Sequence, residues 1–269
     1  MLNKHGKLTA VLLAGIFFHN PISVLAAEEN QSNKINTIVE QTEAIQEKVQ
    51  EKYEDGFHEV NGKRHYMSNG KKAVNQTVES GGFEFTLNEK GEVIKSIAID
   101  FPVYSQLDYP SGSTLCAITS FTSIVDFFSG EYCDPVHLAN VMQKAGYYTP
   151  GGGTKFEGSV EYAFNQFGYE SYGVELQADE VRNELLKGNP VLSMTVSGRP
   201  WVISSAYHCM VFSGYDSTTD QVYVHDTYTP SLSGWYDLDY IHKYILPDPS
   251  QSGPIYIVPN PNIEVIYDG

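Results

Sequence analysis

Positive charge, cysteine and tryptophan are all scarce in this chain. Of 269 residues, 17 are Lys or Arg against 33 Asp or Glu, leaving a net charge of −16. Nucleic acid and anionic lipid would be repelled by such a balance, so neither is expected as a main partner. There are only three cysteines. An odd count leaves one thiol over: either Cys133 pairs with Cys209 and frees Cys116, or all three are thiols. No His-Glu-x-x-His motif and no clustered Cys/His spacing occurs, so no metal is expected. Gly151–Gly152–Gly153 lacks the Lys-Ser/Thr that follows a phosphate cradle, reads as a loop, and leaves no expected cofactor. Beyond the N-terminus no apolar run is long enough to span a bilayer, and no membrane association is expected after processing.

What is present starts with export. Lys4 and Lys7 precede the apolar run Leu8–Phe18, and Val24–Leu25–Ala26 supplies small residues before a cleavage point. Residues 1–26 therefore read as a secretory signal peptide, and the mature protein is expected outside the cell. Hydrophobic residues at 41% and aromatics at 13% suffice for a real core, and 19 tyrosines suit a strand-rich protein.

Residues 27–55 carry Ile35, Ile38, Val39, Thr42, Ile45 and Val49 at helical spacing among Glu, Gln and Lys, an amphipathic helical spacer. Residues 56–96 change period. Asn61–Gly62 and Asn69–Gly70 each sit between short alternating runs, and Gly81–Gly82 and Gly91 repeat the pattern about 20 residues on. This is a degenerate repeat of β-hairpins. From residue 97 onward a larger domain begins: an alternating strand over Ile97–Tyr104, a helix from Cys116, a second helix capped by Asp134 with Pro135 in its first turn, and further helices near Phe156–Phe167 and Asp179–Lys187. Strands follow at Val191–Val196, Tyr207–Gly214 and Gln221–Thr227, with edge strands near Trp235, Ile255–Val258 and Ile263–Ile266. Helices and then strands make the fold class α+β.

Cys116 stands where a loop becomes a helix. Tyr109–Pro110–Ser111–Gly112–Ser113 cannot extend either element, whereas Ile118, Phe121, Ile124, Val125 and Phe128 form a helical stripe closed by Gly130. Unpaired N–H groups and the helix dipole favour an anion there, so the thiolate is stabilised and becomes a candidate nucleophile. Along Tyr207–Gly214, His208, Met210 and Phe212 share one face and Cys209, Val211 and Ser213 the other. A turn centred on Ser217 sets His208 opposite Asp226; one centred on Thr218 makes Asp226 its same-face diagonal neighbour. In both registers a carboxylate can fix the imidazole tautomer and leave the other nitrogen as base. His225 and Cys209 point away from that face. Gln106, ten residues before Cys116, can contribute an amide N–H to an oxyanion hole. His58, His65 and His137 are expected at surface or capping positions.

Residues 98–246 resemble the C39-like cysteine peptidase family, which has a papain-like fold. The resemblance lies in Val103–Tyr104–Ser105–Gln106, Cys116–Ala117–Ile118–Thr119–Ser120, Asp134–Pro135–Val136–His137–Leu138–Ala139, Gly151–Gly152–Gly153–Thr154, His208 with Phe212–Ser213–Gly214–Tyr215–Asp216, and Val222–Tyr223–Val224–His225–Asp226. It implies a peptidase domain over 97–269 with Cys116 as nucleophile, His208 as base, Asp226 as its orienter and Gln106 as oxyanion donor. The implied activity is amide-bond hydrolysis in a peptide or protein substrate through a thioester. The hairpins of 56–96 resemble the cell-wall-binding repeats of Gram-positive surface proteins, although they carry no tryptophan. That implies a Gram-positive source and a cell-wall polymer as a second partner. Three alternatives remain open: a peptidoglycan crosslink hydrolase, an acyltransferase, and an inert surface-binding protein.

Overall fold

A computed structural model describes residues 53–155, 157–174, 177–195, 208–242 and 255–267. The signal peptide, all but the last three residues of the 27–55 helix, and the Ser197–Ser205 loop lie outside them. Residues 53–269 cluster as one unit.

The hairpins form where the turn residues dictate. β1 (Gly56–Val60) and β2 (Lys63–Ser68) meet at Asn61–Gly62, whose φ angles are 53° and 73°. β2 meets β3 (Lys71–Lys72) at Asn69–Gly70, with φ of 54° and 71°. Both are two-residue turns in the left-handed region that Asn and Gly tolerate. β4 (Thr77–Ser80) turns through Gly81–Gly82 into β5 (Phe83–Leu87), and β6 (Val93–Ala98) pairs with β5.

Five helices follow among the described residues: α1 (Cys116–Ser129), α2 (Pro135–Lys144), α3 (Ser159–Asn165), α4 (Ala178–Leu186) and α5 (Leu238–His242). In α1 the whole expected stripe is buried, and Gly130 at φ 69° caps the end, its N–H donating to Asp126 O. The hydroxyls of Thr119, Thr122 and Ser123 donate back to helix carbonyls, so polar side chains enter the core satisfied. Ile118, Phe121 and Ile124 are fully buried, worth about 1.5–3 kcal/mol each. Asp134 caps α2 by accepting from Val136 N at 3.0 Å, with Pro135 in the first turn.

The remaining strands are β7 (Tyr148–Thr149), β8 (Gly153–Thr154), β9 (Tyr172–Val174), β10 (Val191–Thr195), β11 (His208–Asp216), β12 (Gln221–His225), β13 (Gly234–Asp237), β14 (Ile255–Ile257) and β15 (Val265–Tyr267). The described strands form a four-stranded sheet, β15-β1-β2-β3, and a nine-stranded one, β4-β5-β6-β11-β10-β14-β9, with β12 on β11 and β13 on β12. β11 is the axis of the larger sheet. Cys209 and Val211 join Leu192, Tyr256 and the α1 side chains in one apolar cluster; Met210 and Phe212 join Val191, Ile255, Ile257 and the α4 residues Val181 and Leu185 in another. Alternate residues thus go to opposite faces, and helices cover both.

Some elements differ from expectation. The strand placed at Ile97–Tyr104 is instead β6, ending at Ala98. Asp100 takes φ 51° and Pro102 has no N–H, so the ladder cannot continue. Strands also precede the helices, because β6 pairs with β11 and carries the second hairpin into the large sheet. Tyr148–Thr154 closes as the small β7–β8 hairpin, and β14 lies inside the sheet rather than at its edge. His58 and His65 are buried: they face each other across β1 and β2, with ring nitrogens on Glu54 O at 2.8 Å and Gly91 O at 3.0 Å. His137 is exposed.

Candidate active site

Cys116 is the first residue of α1, partly exposed, preceded by the short turn Gly112–Thr114. No side chain caps this helix start, so its N–H groups stay available to an anion. The sulfur shares a hydrogen bond with His208 and receives backbone N–H groups from Cys209 and Ala117. Burial alone would raise the thiol pKa, but the contacts with His208 and these N–H groups outweigh it and hold the value below that of an ordinary cysteine.

His208 opens β11, and its Nε2 lies 2.8 Å from Asp226 Oδ1. Burial disfavours the imidazolium, yet the bonds to Asp226 and Cys116 more than offset it and push the pKa up to about 9. His208 is 3% exposed and Asp226 0%, so the pair interacts in a medium that screens little. Asp226 is itself fixed. Its Oδ1 also accepts from Tyr228 N at 2.8 Å and Thr229 N at 3.0 Å, an Asx turn, while its own N–H donates to Ser233 Oγ.

Gln106 is buried, and both ends of its amide are held. Nε2 donates to Gly112 O at 2.6 Å, and Oε1 accepts from Thr227 Oγ1 at 3.0 Å. Its backbone N–H donates to Thr227 O at 2.8 Å. The loop that carries Asp226 therefore also carries the residue that orients Gln106, and Gly112 ties Gln106 to the turn that leads into Cys116. Gly112 must be glycine: a Cβ there would meet Gln106 O at 2.2 Å and Leu107 Cα at 2.8 Å.

Cys116, His208 and Asp226 thus come together in one hydrogen-bonded chain. Asp226 is the same-face diagonal neighbour of His208, the second of the two registers open from the sequence. Gln106 reaches the same region through Gly112 and Thr227. Cys133 and Cys209 are buried and free, without a disulfide. Burial and then Asp126 and Asp134 push the Cys133 thiol up to about 11, and burial raises Cys209 well above the ordinary value. Sequence reasoning missed Thr227, whose only signal is its place next to Asp226, and Gly112, which read as a generic turn former. Among the described residues no three His, Cys, Asp or Glu side chains group as a metal site would need, and no helix is long and apolar enough to cross a membrane.

Residues 98–245 match the Peptidase_C39 like family. No curated protein matches the chain. Among solved structures, it is similar to the peptidase domain of Streptococcus ComA, a bi-functional ABC transporter involved in a quorum sensing pathway. That likeness has 14% identity and a TM-score of 0.41 over 55% of this chain and 93% of that one. It is also similar to xylellain, a cysteine protease from Xylella fastidiosa, at 11% identity and a TM-score of 0.45 over 61% of this chain and 85% of that one.

Proposed function

The chain belongs to the Peptidase_C39 like family, and from that premise we propose that it is an exported cysteine peptidase in which Cys116, His208, Asp226 and Gln106 carry the chemistry. One observation carries the reading: the imidazole that Asp226 holds at 2.8 Å also interacts with the thiol of a helix-start cysteine, Cys116. The lowered thiol pKa and raised imidazole pKa favour a thiolate–imidazolium pair at neutral pH.

The thiolate of Cys116 attacks the carbonyl carbon of a peptide bond, and the carbonyl electron pair moves onto oxygen. Gln106 and the backbone at the start of α1 donate N–H groups to that oxyanion. Collapse breaks the C–N bond as His208 gives its proton to the leaving amine, and a thioester remains on Cys116. His208 then takes a proton from water, the hydroxide attacks the thioester, and the C–S bond breaks so that the acid leaves and the thiolate–imidazolium pair is restored. Asp226 holds the imidazole in one orientation and stabilises its cation throughout. The substrate is a peptide or protein met outside the cell after the signal peptide of residues 1–26 is removed, and the hairpins of 56–96 are the candidate contact with a cell-wall polymer.

The test is alkylation of Cys116 by iodoacetamide across pH, located by peptide mapping, combined with mass-spectrometric detection of new N-termini in a mixture of unfolded proteins. Rapid labelling below pH 7 that slows in His208→Ala, with cleavage abolished in Cys116→Ala, is the expected result. Labelling only near the unperturbed thiol value of about 8.5 refutes the reading. Joined rather than cleaved products would identify an acyltransferase.

A further inference from the structure

β11 and β12 do not stay in step. Next to their turn, Asp216 faces Gln221, Tyr215 faces Val222 and Gly214 faces Tyr223; beyond Ser213, Phe212 faces Val224 and Val211 faces His225. Ser213 is an extra residue, a β-bulge. Its consequence follows from parity. Opposed residues share a face, and a slip of one residue sends a strand's side chains to the other face. Were the turn's pairing continued without the extra residue, Ser213 would face Val224, Phe212 would face His225 and Val211 would face Asp226. Asp226 would then share the face of Val211 and Cys209, with His208 on the opposite one. The bulge shifts the register so that Asp226 follows on opposite Met210, on the face of His208, where the 2.8 Å bond forms.

The backbone ladders do not hold Ser213. On its other edge β11 pairs with β10 as far as Phe212 and with β6 from Gly214, so Ser213 has a partner in neither register. Its side chain has one instead. Ser213 Oγ lies 2.6 Å from His225 Nε2, and both residues are buried. The His225 ring stacks on Phe101, with centroids 4.3 Å apart and planes at 20°. Among the described residues its Nδ1 finds no partner, which makes the Ser213 bond the polar tie of this ring.

We propose that Ser213 and His225 form a register lock: their hydrogen bond holds the one-residue bulge that turns Asp226 toward His208, which makes both of them positioning residues. Their role in catalysis rests on the cysteine peptidase reading; their effect on the His208–Asp226 bond does not.

Two measurements on the full chain test this, with Ser213→Ala, with His225→Phe, which keeps a ring on Phe101, and with Asp226→Asn as reference. The first is the low-field NMR resonance of the His208 ring N–H bonded to Asp226, which needs no reactive thiol. It is expected to be lost in both lock variants. The second is the rate of Cys116 alkylation near pH 6, expected to fall about tenfold in both, as in Asp226→Asn, with no further fall when Ser213→Ala is combined with Asp226→Asn. A retained His208 resonance in folded variants overturns the proposal, as does an additive double mutant. Failure of both lock variants to fold also overturns it, since the pair would then hold the sheet and not the register. Slow alkylation of the wild type beside a lost resonance would sink the peptidase reading and leave the lock standing.

Discussion

Asp226→Asn isolates the charge of one carboxylate. The asparagine keeps the shape and can still accept from Tyr228 N, Thr229 N and His208 Nε2, so the loop survives. What goes is the negative charge facing a buried imidazolium. A hydrogen bond to a charged group is worth about 1.5–3 kcal/mol and a neutral one about 0.5–1.5, so the exchange removes about 1–1.5 kcal/mol. Near-complete burial of both residues puts this pair at the upper end. That is about one pKa unit, or tenfold. The His208 value, up at about 9 in the native protein, falls accordingly. The proton-sharing equilibrium between thiolate–imidazolium and neutral thiol–imidazole moves about tenfold toward the neutral pair, and Cys116 alkylation at pH 6 draws on the ion pair, while near pH 10 the thiolate no longer needs the imidazolium. Alkylation is therefore expected to slow about tenfold at pH 6 and to change by less than about twofold at pH 10. An unchanged rate at pH 6 refutes the reasoning, and an equal loss at both pH values shows blocked access instead of a lost ion pair.

Gln106→Ala is expected to lower peptide-hydrolysis kcat about 10²–10³-fold while Cys116 alkylation stays at the wild-type rate, because alkylation builds no oxyanion. Thr227→Val frees the Gln106 carbonyl and is expected to reduce kcat about fivefold, in line with one lost hydrogen bond of about 1 kcal/mol, with KM unchanged; equal activity would remove Thr227 from the site. Gly112→Ala drives a Cβ into the Gln106 carbonyl and is expected to cost about 1–3 kcal/mol, seen as a Tm lower by about 2–10 °C. His225 gives a signed pH dependence. Burial holds it neutral, its pKa pushed down to about 3, so the unfolded chain binds the proton first. The stability it contributes is complete above about pH 6.5 and is lost as pH falls toward 3. The His225→Phe variant is expected to flatten that limb of Tm against pH, leaving the smaller contribution of His65, which burial and Lys72 lower in the same direction.

Local chemistry was legible from the residues themselves. The stripe from Ile118 to Phe128, the stop at Gly130 and the cap at Asp134 state their helices, because propensity and capping act within a few residues. Asn61–Gly62 and Asn69–Gly70 state their turns for the same reason. The helix-start position of Cys116 and the face shared by His208 and Met210 also follow from local periodicity.

Which side chains meet was a matter for the tertiary structure. Two registers were open for His208 and Asp226, and the choice depends on Ser213 being left out of both ladders, on His225 holding it, and on Phe101 arriving from a segment more than a hundred residues earlier. Gln106 is oriented by Thr227 from the far end of the domain, a pairing that ten residues of loop before Cys116 leave undetermined. The segment after Ala98 read as strand because its apolar residues alternate, but the turn at Asp100 sends it to cover His225 instead. Periodicity along a chain records which face a residue prefers; it carries no record of the neighbour that face will meet, because that is decided by packing between segments distant in sequence.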